Sequence, residues 1–245
     1  MTLEREAEIL MICALAREIR DGERVGVGTL SPLCAAAAWL AQAHHAPRAE
    51  VVVLGHPDWP FYDGSKEFFD WAQRGRLDVF FLSGGQIDRR GNINLTAVGP
   101  YASPRVRLPG AAGSAVLYYA ARRTILFKTD HSPRGLVEQV DFVTAPGRAP
   151  PGFRRRGGPA ALVTPRAVFD WDADQAEWVV RSLSPGETWD GVQAATGFAL
   201  AARGAVGTTP PPGSDELYCL ETLVRPRLAE VYPEFTHRLF GATEP

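Results

Sequence analysis

The sequence predicts an α/β protein with a mostly parallel sheet flanked by helices. Short apolar runs that end in glycine or polar residues, at 24–28, 51–54 and 78–82, are typical of buried strands. Segments with helix signals lie between them, at 32–43 and about 65–73. Strands that alternate with helices favour parallel pairing through right-handed crossovers.

Helix boundaries follow from capping and stop signals. Residues 3–20 carry apolar side chains at helical spacing, with Thr2 as a candidate N-cap and Asp21-Gly22 as the stop. The helix at 32–43 begins with Pro32, which the first turn of a helix tolerates. Further helices are expected at 115–121, from the turn at 184–188 to about residue 196, and at 215–224.

The remaining strands are predicted from apolar alternation, and residues 1–245 are expected to form one domain. These strands lie at 124–127, 140–143, 161–171 and 177–183. Residues 148–160 are rich in Pro, Gly and Arg, which predicts a mobile loop. Within it, Arg154, Arg155 and Arg156 form either a solvated basic turn or a contact for phosphate groups.

Composition excludes several classes of protein. The 245 residues are 45% hydrophobic and 22% charged, as in an ordinary globular protein, and a net charge of −2 provides no basic field for nucleic acid. The uncharged stretch 25–47 contains Gly, Pro, Gln and His, so no membrane span is predicted. Cys13, Cys34 and Cys219 are odd in number and far apart, which favours free thiols in the cytoplasm.

Glycine follows three of the predicted strands. Residues 28–31 follow the first strand, Gly55 follows the second and Gly84-Gly85 follow the third. Because ligands of open α/β sheets bind at the carboxyl ends of strands, the stretch 84–94 is predicted as one lip of a binding site, and the loop at 28–31, at a helix N-terminus, could hold an anion. The alternative for 84–94 is a plain connection between two strands.

Residues 56–64 form an aromatic, acidic and proline-rich loop. Trp59, Phe61 and Tyr62 predict either a pocket wall for a bulky apolar group or a surface loop with its own aromatic cluster. The sequence has no nucleophile elbow, no phosphate-loop lysine motif and no metal-ligand spacing, so neither a metal site nor a permanently bound cofactor is predicted. His131 is expected to hydrogen-bond the polar loop that contains it.

Four motifs, in this order, resemble the β subunit of family I CoA-transferases, and especially its glutaconate CoA-transferase branch. They are GGQIDxxGNxN at 84–94, GxxG at 110–113, His131, and VDFVTAPG at 140–147. The resemblance implies the fold of family I CoA-transferases and an acyl-CoA thioester as substrate. It also implies an obligate α-subunit partner, commonly in an α2β2 heterotetramer, with the active site between the subunits.

The resemblance assigns a catalytic position that this sequence fills with Leu54. In the family, a glutamate at the end of the second strand attacks the thioester and then holds CoA as an enzyme thioester. Leucine cannot attack, so no residue of this chain is predicted as the nucleophile. A branch without this glutamate is similar in that respect: the ring-opening CoA-thioester hydrolases of steroid degradation, in which an α-subunit glutamate serves as base for a water-dependent C–C cleavage.

The predicted function is therefore that of a β subunit in an enzyme that cleaves a C–C bond of a CoA thioester by hydrolysis. Two alternatives stay open: a true CoA-transferase that uses Asp58, Asp63 or a partner carboxylate, and a non-catalytic CoA-thioester-binding subunit. The glycine loops and the amide of Gln86 are expected to polarise the thioester carbonyl. The predicted binding or oxyanion-stabilising residues are Gly28, Leu54, Gly55, Gly84, Gly85, Gln86, Asn94, Gly110 and Gly113.

Overall fold

The computed structural model describes residues 3–241, so the predicted cap Thr2 lies outside the described residues. The helices are α1 (Leu3–Ala16), α2 (Pro32–His44), α3 (Ser65–Trp71), α4 (Ser114–Ala120), α5 (Trp189–Ala195), α6 (Ser214–Cys219), α7 (Arg225–Val231) and α8 (Pro233–Phe240). Wider π-helical turns extend α3 through Ala72–Arg76 and join α6 to α7 through Leu220–Val224. Within residues 3–241, no helix is both long enough and apolar enough to cross a membrane.

A central sheet of eight strands organises the chain. The strands in chain order are β1 (Arg24–Val27), β2 (Glu50–Val53), β3 (Val79–Leu82), β4 (Gln86–Asp88), β5 (Ile93–Asn94), β6 (Ala97–Val98), β7 (Val106–Arg107), β8 (Arg123–Phe127), β9 (Leu136–Val137), β10 (Gly158–Val163), β11 (Ala167–Asp172), β12 (Glu177–Leu183) and β13 (Gly207–Thr208). The central sheet has the order β13-β12-β11-β10-β8-β3-β1-β2.

The strands from β10 through β8, β3 and β1 to β2 are all parallel, whereas β11 pairs antiparallel with both of its neighbours. The predicted α/β fold with a mostly parallel sheet and flanking helices is confirmed. Because parallel strands end at one edge, the exits of β1, β2, β3 and β8 meet there.

The side chains of each strand alternate between two apolar cores. Val79 and Phe81 of β3 pack in the core that contains α1 and α2, whereas Phe80 and Leu82 pack in the core that contains α3 and α4. This alternation explains Gly26 in β1, because a Cβ there would lie 2.8 Å from the ring of Phe68. Burial on both faces accounts for the almost uninterrupted apolar strands in the sequence.

The predicted strand at 140–143 is wrong. These residues form a loop beside the hairpin of β4 and β5, and side chains of the hairpin take the hydrogen bonds of the loop backbone. The amide of Val140 donates to Oδ2 of Asp88 at 3.3 Å, and the amide of Asp141 donates to Oε1 of Gln86 at 3.0 Å. Apolar alternation therefore predicted a strand where side-chain hydrogen bonds replace a ladder.

Other boundaries also differ from the predictions. The run 161–171 contains two antiparallel strands, β10 and β11, because Oγ1 of Thr164 accepts the amide of Ala167 at 3.0 Å and turns the chain. The last predicted helix does not stop at Val224, since the π-helical turn carries it on into α7. The first helix ends at Ala16 rather than near Arg20.

Arg155 is not part of a solvated basic turn. Its Nη1 atom donates to the carbonyl oxygens of Pro146 and Gly147 at 2.7 and 2.8 Å, and its guanidinium lies 4.2 Å from the ring centroid of Tyr118. Burial lowers the pKa of Arg155 below its usual value, and the side chain holds the 148–160 loop against the hairpin side of the sheet.

His131 was expected to hydrogen-bond the loop that contains it, but its ring instead joins two other parts of the chain. Nδ1 lies 2.8 Å from Oγ1 of Thr164, and Nε2 lies 2.8 Å from Oγ1 of Thr196. Burial, together with the charge of Arg166, lowers the pKa of His131 to about 4. The imidazole is therefore neutral at pH 7, with one nitrogen donating and the other accepting.

The stability of this fold should fall in mild acid because of His131. The unfolded chain takes up a proton on this side chain below about pH 6.5, whereas the folded chain does so only near pH 4. The free energy of unfolding therefore falls between these values, by up to about 3 kcal/mol. We expect His131→Gln, which cannot titrate, to lose less stability than the wild type between about pH 7 and pH 4.5 in urea-unfolding experiments.

His237→Gln is the matched control, because His237 is exposed on α8. It should show the pH dependence of the wild type. Parallel stability curves for His131→Gln and the wild type would contradict the prediction.

Candidate active site

A cavity of about 890 Å³ opens where β1, β2, β3 and β8 end. Residues from all four exits line it, together with the loop before α4. The predicted site residues in its lining are Gly28, Leu54, Gly84, Gly110 and Gly113. The predicted site residues outside its lining are Gly55, Gly85, Gln86 and Asn94.

The lining of this cavity is apolar or hydroxylic. Its rings belong to Phe68, Phe69, Phe80, Phe81 and Phe127. Its hydroxyls belong to Thr29, Ser31, Ser65, Ser83, Ser114 and Thr129. Among the described residues that line the cavity, none is Asp, Glu, His, Lys, Arg, Cys or Tyr. The hydroxyls therefore have no base beside them, and this wall supplies no acid, base or activated nucleophile.

Leu54 reaches the cavity from the end of β2. Its amide donates to the carbonyl oxygen of Val27 at 3.0 Å, which continues the pairing with β1 for one residue past the strand. The side chain at this position therefore faces the cavity with a fixed backbone. The carboxylates considered as replacements lie elsewhere: Asp58 and Asp63 are exposed and outside the lining.

Two of the expected backbone donors are already bonded. The amide of Gly85 donates to the carbonyl of Asn94 at 2.9 Å, and the amide of Gly110 donates to the carbonyl of Leu95 at 2.8 Å. The expectation that these two amides are free is therefore wrong. Among the backbone hydrogen bonds of loops and turns within residues 3–241, none is donated by the amide of Gly28, Gly84 or Gly113, so these three amides remain candidates for an oxyanion site.

Gly84 and Gly113 also have packing reasons to be glycine. A Cβ on Gly84 would lie 2.5 Å from a methyl carbon of Ile93 and 3.0 Å from the carbonyl oxygen of Gln86. A Cβ on Gly113 would lie 2.2 Å from the ring of Phe69. Both loops thus lie against the hairpin or the aromatic wall more closely than any other residue permits.

Lys128 positions the Gly84-Gly85 loop, a role that the sequence analysis missed. Its Nζ atom donates to the carbonyl oxygens of Gly84 and Gly85 at 3.1 and 3.4 Å, and it lies 2.9 Å from Oδ1 of Asp130. Burial alone would raise the pKa of Asp130, but the hydrogen bond and charge of Lys128 lower it below its usual value. A lysine directly after β8 was the available signal.

Gln86 and Asn94 bind each other and the 140–147 loop beside the cavity. Nδ2 of Asn94 donates to Oε1 of Gln86 at 2.7 Å, and Nε2 of Gln86 donates to Oδ2 of Asp141 at 3.2 Å. Both side chains are buried. The structure therefore gives Gln86 a role in joining the hairpin to the loop, in place of the expected contact with a thioester.

Asp88 is the centre of the same network. Its Oδ1 atom accepts the amides of Arg90 and Asn92 at 3.0 and 2.9 Å, and its Oδ2 atom accepts Nδ2 of Asn92 at 2.9 Å. Oδ1 of Asn92 in turn accepts the amide of Gly147 at 3.0 Å. A carboxylate that is only 1% exposed is thus surrounded by N–H donors.

The aromatic loop after β2 does not line the cavity. Trp59 and Phe61 have ring centroids 4.9 Å apart and pack on Phe68 at 5.2 and 5.5 Å, whereas Tyr62 is fully exposed. Of the two roles considered for this loop, the structure shows the self-contained aromatic cluster. Pocket aromatics come instead from α3 and the strand ends.

Leu30 forms a strained, apolar rim of the cavity. Its φ is 52°, a left-handed value that is unusual for leucine, and its side chain is 90% exposed. A second pocket of about 530 Å³ adjoins the first and shares Leu30, Ser31, Phe127 and Thr129 with it. Leu30 is therefore an exposed apolar side chain that two adjoining pockets share.

Neither a reactive cysteine nor a metal-binding cluster is found among the residues that the structure describes. Cys13, Cys34 and Cys219 are free and buried, and burial raises the pKa of each thiol. Within residues 3–241, no group of three or more His, Cys, Asp or Glu side chains could hold a metal ion.

Comparison with known proteins identifies the family. The coenzyme A transferase family matches residues 55–195. A subunit of a 3-oxoadipate CoA-transferase from Pseudomonas knackmussii is 38% identical over 160 residues, 62% of this chain and 61% of that protein. The cholesterol ring-cleaving hydrolase IpdB subunit of Mycobacterium tuberculosis is 27% identical over 247 residues, 92% of this chain and 96% of that protein.

The fold agrees with these relatives. A crystal structure of the decarboxylase AibA/AibB has a TM-score of 0.76 at 27% identity, covering 96% of this chain and 99% of that chain. The resemblance predicted from the motifs at 84–94 and 140–147 is confirmed. With a match across more than half of its length, this chain belongs to the coenzyme A transferase family.

Proposed function

We propose that this chain is the β subunit of a heteromeric enzyme that cleaves a C–C bond in the acyl group of a CoA thioester by hydrolysis. The partner is an α subunit, in an α2β2 assembly, and it supplies the catalytic carboxylate. The CoA thioester is the substrate, and no cofactor is held permanently. Three free, buried cysteines support a cytoplasmic location.

The observation that carries this proposal is the wall of the 890 Å³ cavity. Leu54 stands where the resemblance to transferases expects a glutamate. None of the described residues that line the cavity has an ionisable side chain. A covalent transfer through this wall needs a nucleophile at a position such as 54, whereas hydrolysis directed by a partner carboxylate does not. A relative that aligns over 96% of its length is a ring-cleaving hydrolase subunit.

The backbone amides account for what this wall contributes to the reaction. A base on the partner removes a proton from water, and the resulting hydroxide adds to a ketone β to the thioester. The C–C bond then breaks, and its electron pair forms the thioester enolate, which takes up a proton. Negative charge develops on oxygen in each step, and one amide donor at Gly28, Gly84 or Gly113 is worth about 3–4 kcal/mol there.

Exposed apolar side chains near the cavity support a partner on this edge of the sheet. Leu30 is 90% exposed at the cavity rim, and Tyr62, after β2, is fully exposed. Apolar groups of this size are commonly covered by a protein partner. The 3-oxoadipate CoA-transferase and cholesterol ring-cleaving hydrolase relatives are each named as one subunit of an enzyme.

A true CoA-transferase is the second candidate, because the relative that is 38% identical is a 3-oxoadipate CoA-transferase subunit. Its reaction here would need a carboxylate that moves into the cavity or comes from the partner. The side chain of Asp58 is 81% exposed, lies 3.7 Å from His56 and is not part of the cavity lining. The two candidates differ in whether CoA becomes attached to the enzyme.

We expect no enzyme–CoA thioester to form on this chain. The complex with its α subunit is incubated with an acyl-CoA and treated with borohydride or hydroxylamine, and the mass of each subunit is measured. Borohydride reduction or hydroxamate formation at a carboxylate of this chain would contradict the proposal and establish the transferase. Turnover to a hydrolysed product without either modification supports it.

Leu54→Glu is the positive control for this trapping experiment. It restores a carboxylate at the end of β2, facing the cavity. We expect this variant to accumulate the covalent CoA adduct that the wild type lacks. Glu50, on the same strand but exposed at its other end, should remain unmodified in both proteins.

Replacement of Lys128 should slow turnover through the position of the Gly84 amide. Lys128→Met removes the cation that holds the carbonyls of Gly84 and Gly85. We expect kcat of the assembled complex to fall by at least about tenfold while KM changes by less than about threefold, because a misplaced amide loses stabilisation of the transition state.

Lys66→Met is the control, since Lys66 has a side chain that is 77% exposed and pairs only at the surface with Asp70. It should leave kcat unchanged. Circular dichroism and co-purification of the partner show whether Lys128→Met still assembles. An assembled Lys128→Met complex with a kcat within about twofold of the wild type would remove Lys128 from the site.

A further inference from the structure

We infer that the cavity wall of this chain selects bulky apolar acyl groups without a terminal carboxylate, and that Leu54 and Phe69 set this selectivity. The inference rests on the proposed function, because it names the substrate class of the same cavity. It goes beyond the proposed function, because the same hydrolytic chemistry could act on an apolar acyl group or on one with a terminal carboxylate.

Size is the first argument. A volume of about 890 Å³ lies near the upper end of the range for small-molecule pockets. Phe68, Phe69, Phe80, Leu82 and Leu117 all contribute apolar surface to its lining. A short straight-chain acyl group leaves much of this apolar surface in water, whereas a cyclic or branched group covers it.

Charge is the second argument. A dicarboxylic acyl group brings a free carboxylate into the cavity, and a buried carboxylate without a partner costs several kcal/mol. The described lining contains no Lys, Arg or His to receive it. The wall therefore opposes a charged acyl tail in addition to favouring an apolar one.

The cations next to the lining are already paired. Lys128 binds two loop carbonyls and Asp130, and its side chain is 9% exposed. Arg238, in the adjoining pocket, donates to both carboxylate oxygens of Glu8 at 2.7 and 2.8 Å. On this chain, a substrate carboxylate would have to break one of these pairs to obtain a cationic partner.

Leu54 and Phe69 are the residues best placed to discriminate. Leu54 projects from the end of β2 with its backbone fixed by Val27. Phe69 comes from α3, and its ring lies against Gly113, where a Cβ would be 2.2 Å away. Leu54 and Phe69 thus come from separate elements, the end of β2 and α3. The ring of Phe69 packs on Gly113, whose amide is a candidate donor to the oxyanion.

The test measures the affinity of the assembled complex for two non-hydrolysable CoA thioethers. One carries a cyclohexylpropyl tail and the other a 4-carboxybutyl tail, and dissociation constants come from isothermal titration calorimetry. We expect the cyclohexyl compound to bind at least about tenfold more tightly. Leu54→Lys should shift this ratio towards the carboxylate compound by at least about tenfold, and Phe69→Ala should weaken the cyclohexyl compound selectively.

Matched variants distinguish the effect of a positive charge in the cavity from the effect of a positive charge elsewhere on the protein. Leu54→Met and Leu223→Lys, the latter on the exposed surface between α6 and α7, should both keep the wild-type ratio. If Leu54→Lys does not assemble, Ser65→Lys places the charge on another lining position that is exposed and tolerant.

Two results overturn the inference in distinguishable ways. Equal or tighter binding of the carboxylate compound by the wild type, or a ratio that no lining lysine changes, overturns the inference and leaves the proposed function intact. Binding of neither thioether to the wild-type complex overturns both.

Discussion

The buried polar network around Asp88 is the constraint on which this site depends. Its carboxylate fixes the β4–β5 hairpin from within, and Gln86 and Asn92 extend the network to the 140–147 loop. Breaking one member would leave several buried N–H groups without an acceptor, at a cost of about 1–3 kcal/mol for each. The two segments that identify the family by sequence are therefore one structural unit, which forms the support behind the cavity.

This support explains why the wall can act without reactive side chains. Gly84 lies between the hairpin, which excludes any Cβ, and Lys128, which holds its carbonyl. With its Cβ position filled and its carbonyl held by Lys128, Gly84 has little freedom to move, so its backbone in the cavity lining is fixed. A rigid backbone donor needs no titratable group, so the chemistry of the complete site depends on what the partner presents.

The sequence predicted the sheet well because burial on both faces produces apolar runs bounded by glycine, as at Val79–Leu82. It failed where side chains replace backbone partners. Residues 140–143 alternate like a strand, yet Asp88 and Gln86 take their amides. Gln86 was expected in the site because it follows a pair of glycines. That pattern looks the same in the sequence whether the side chain contacts a ligand or a neighbouring loop. Lys128 acts across more than forty residues, a distance that local patterns cannot reveal.

The position of Leu54 shows how one scaffold can serve different reactions. Transfer, hydrolysis and decarboxylation are all named among the relatives. Attack on a thioester and hydrolytic cleavage of a C–C bond in its acyl group both develop negative charge on oxygen, which backbone amides fixed by the fold can stabilise. The resemblance to CoA-transferases, in contrast, places the attacking group at a single position, which is Leu54 in the cavity lining at the end of β2. Under the proposed function, the residue at position 54 separates a covalent route from one that relies on the partner, and the fold that carries it stays the same.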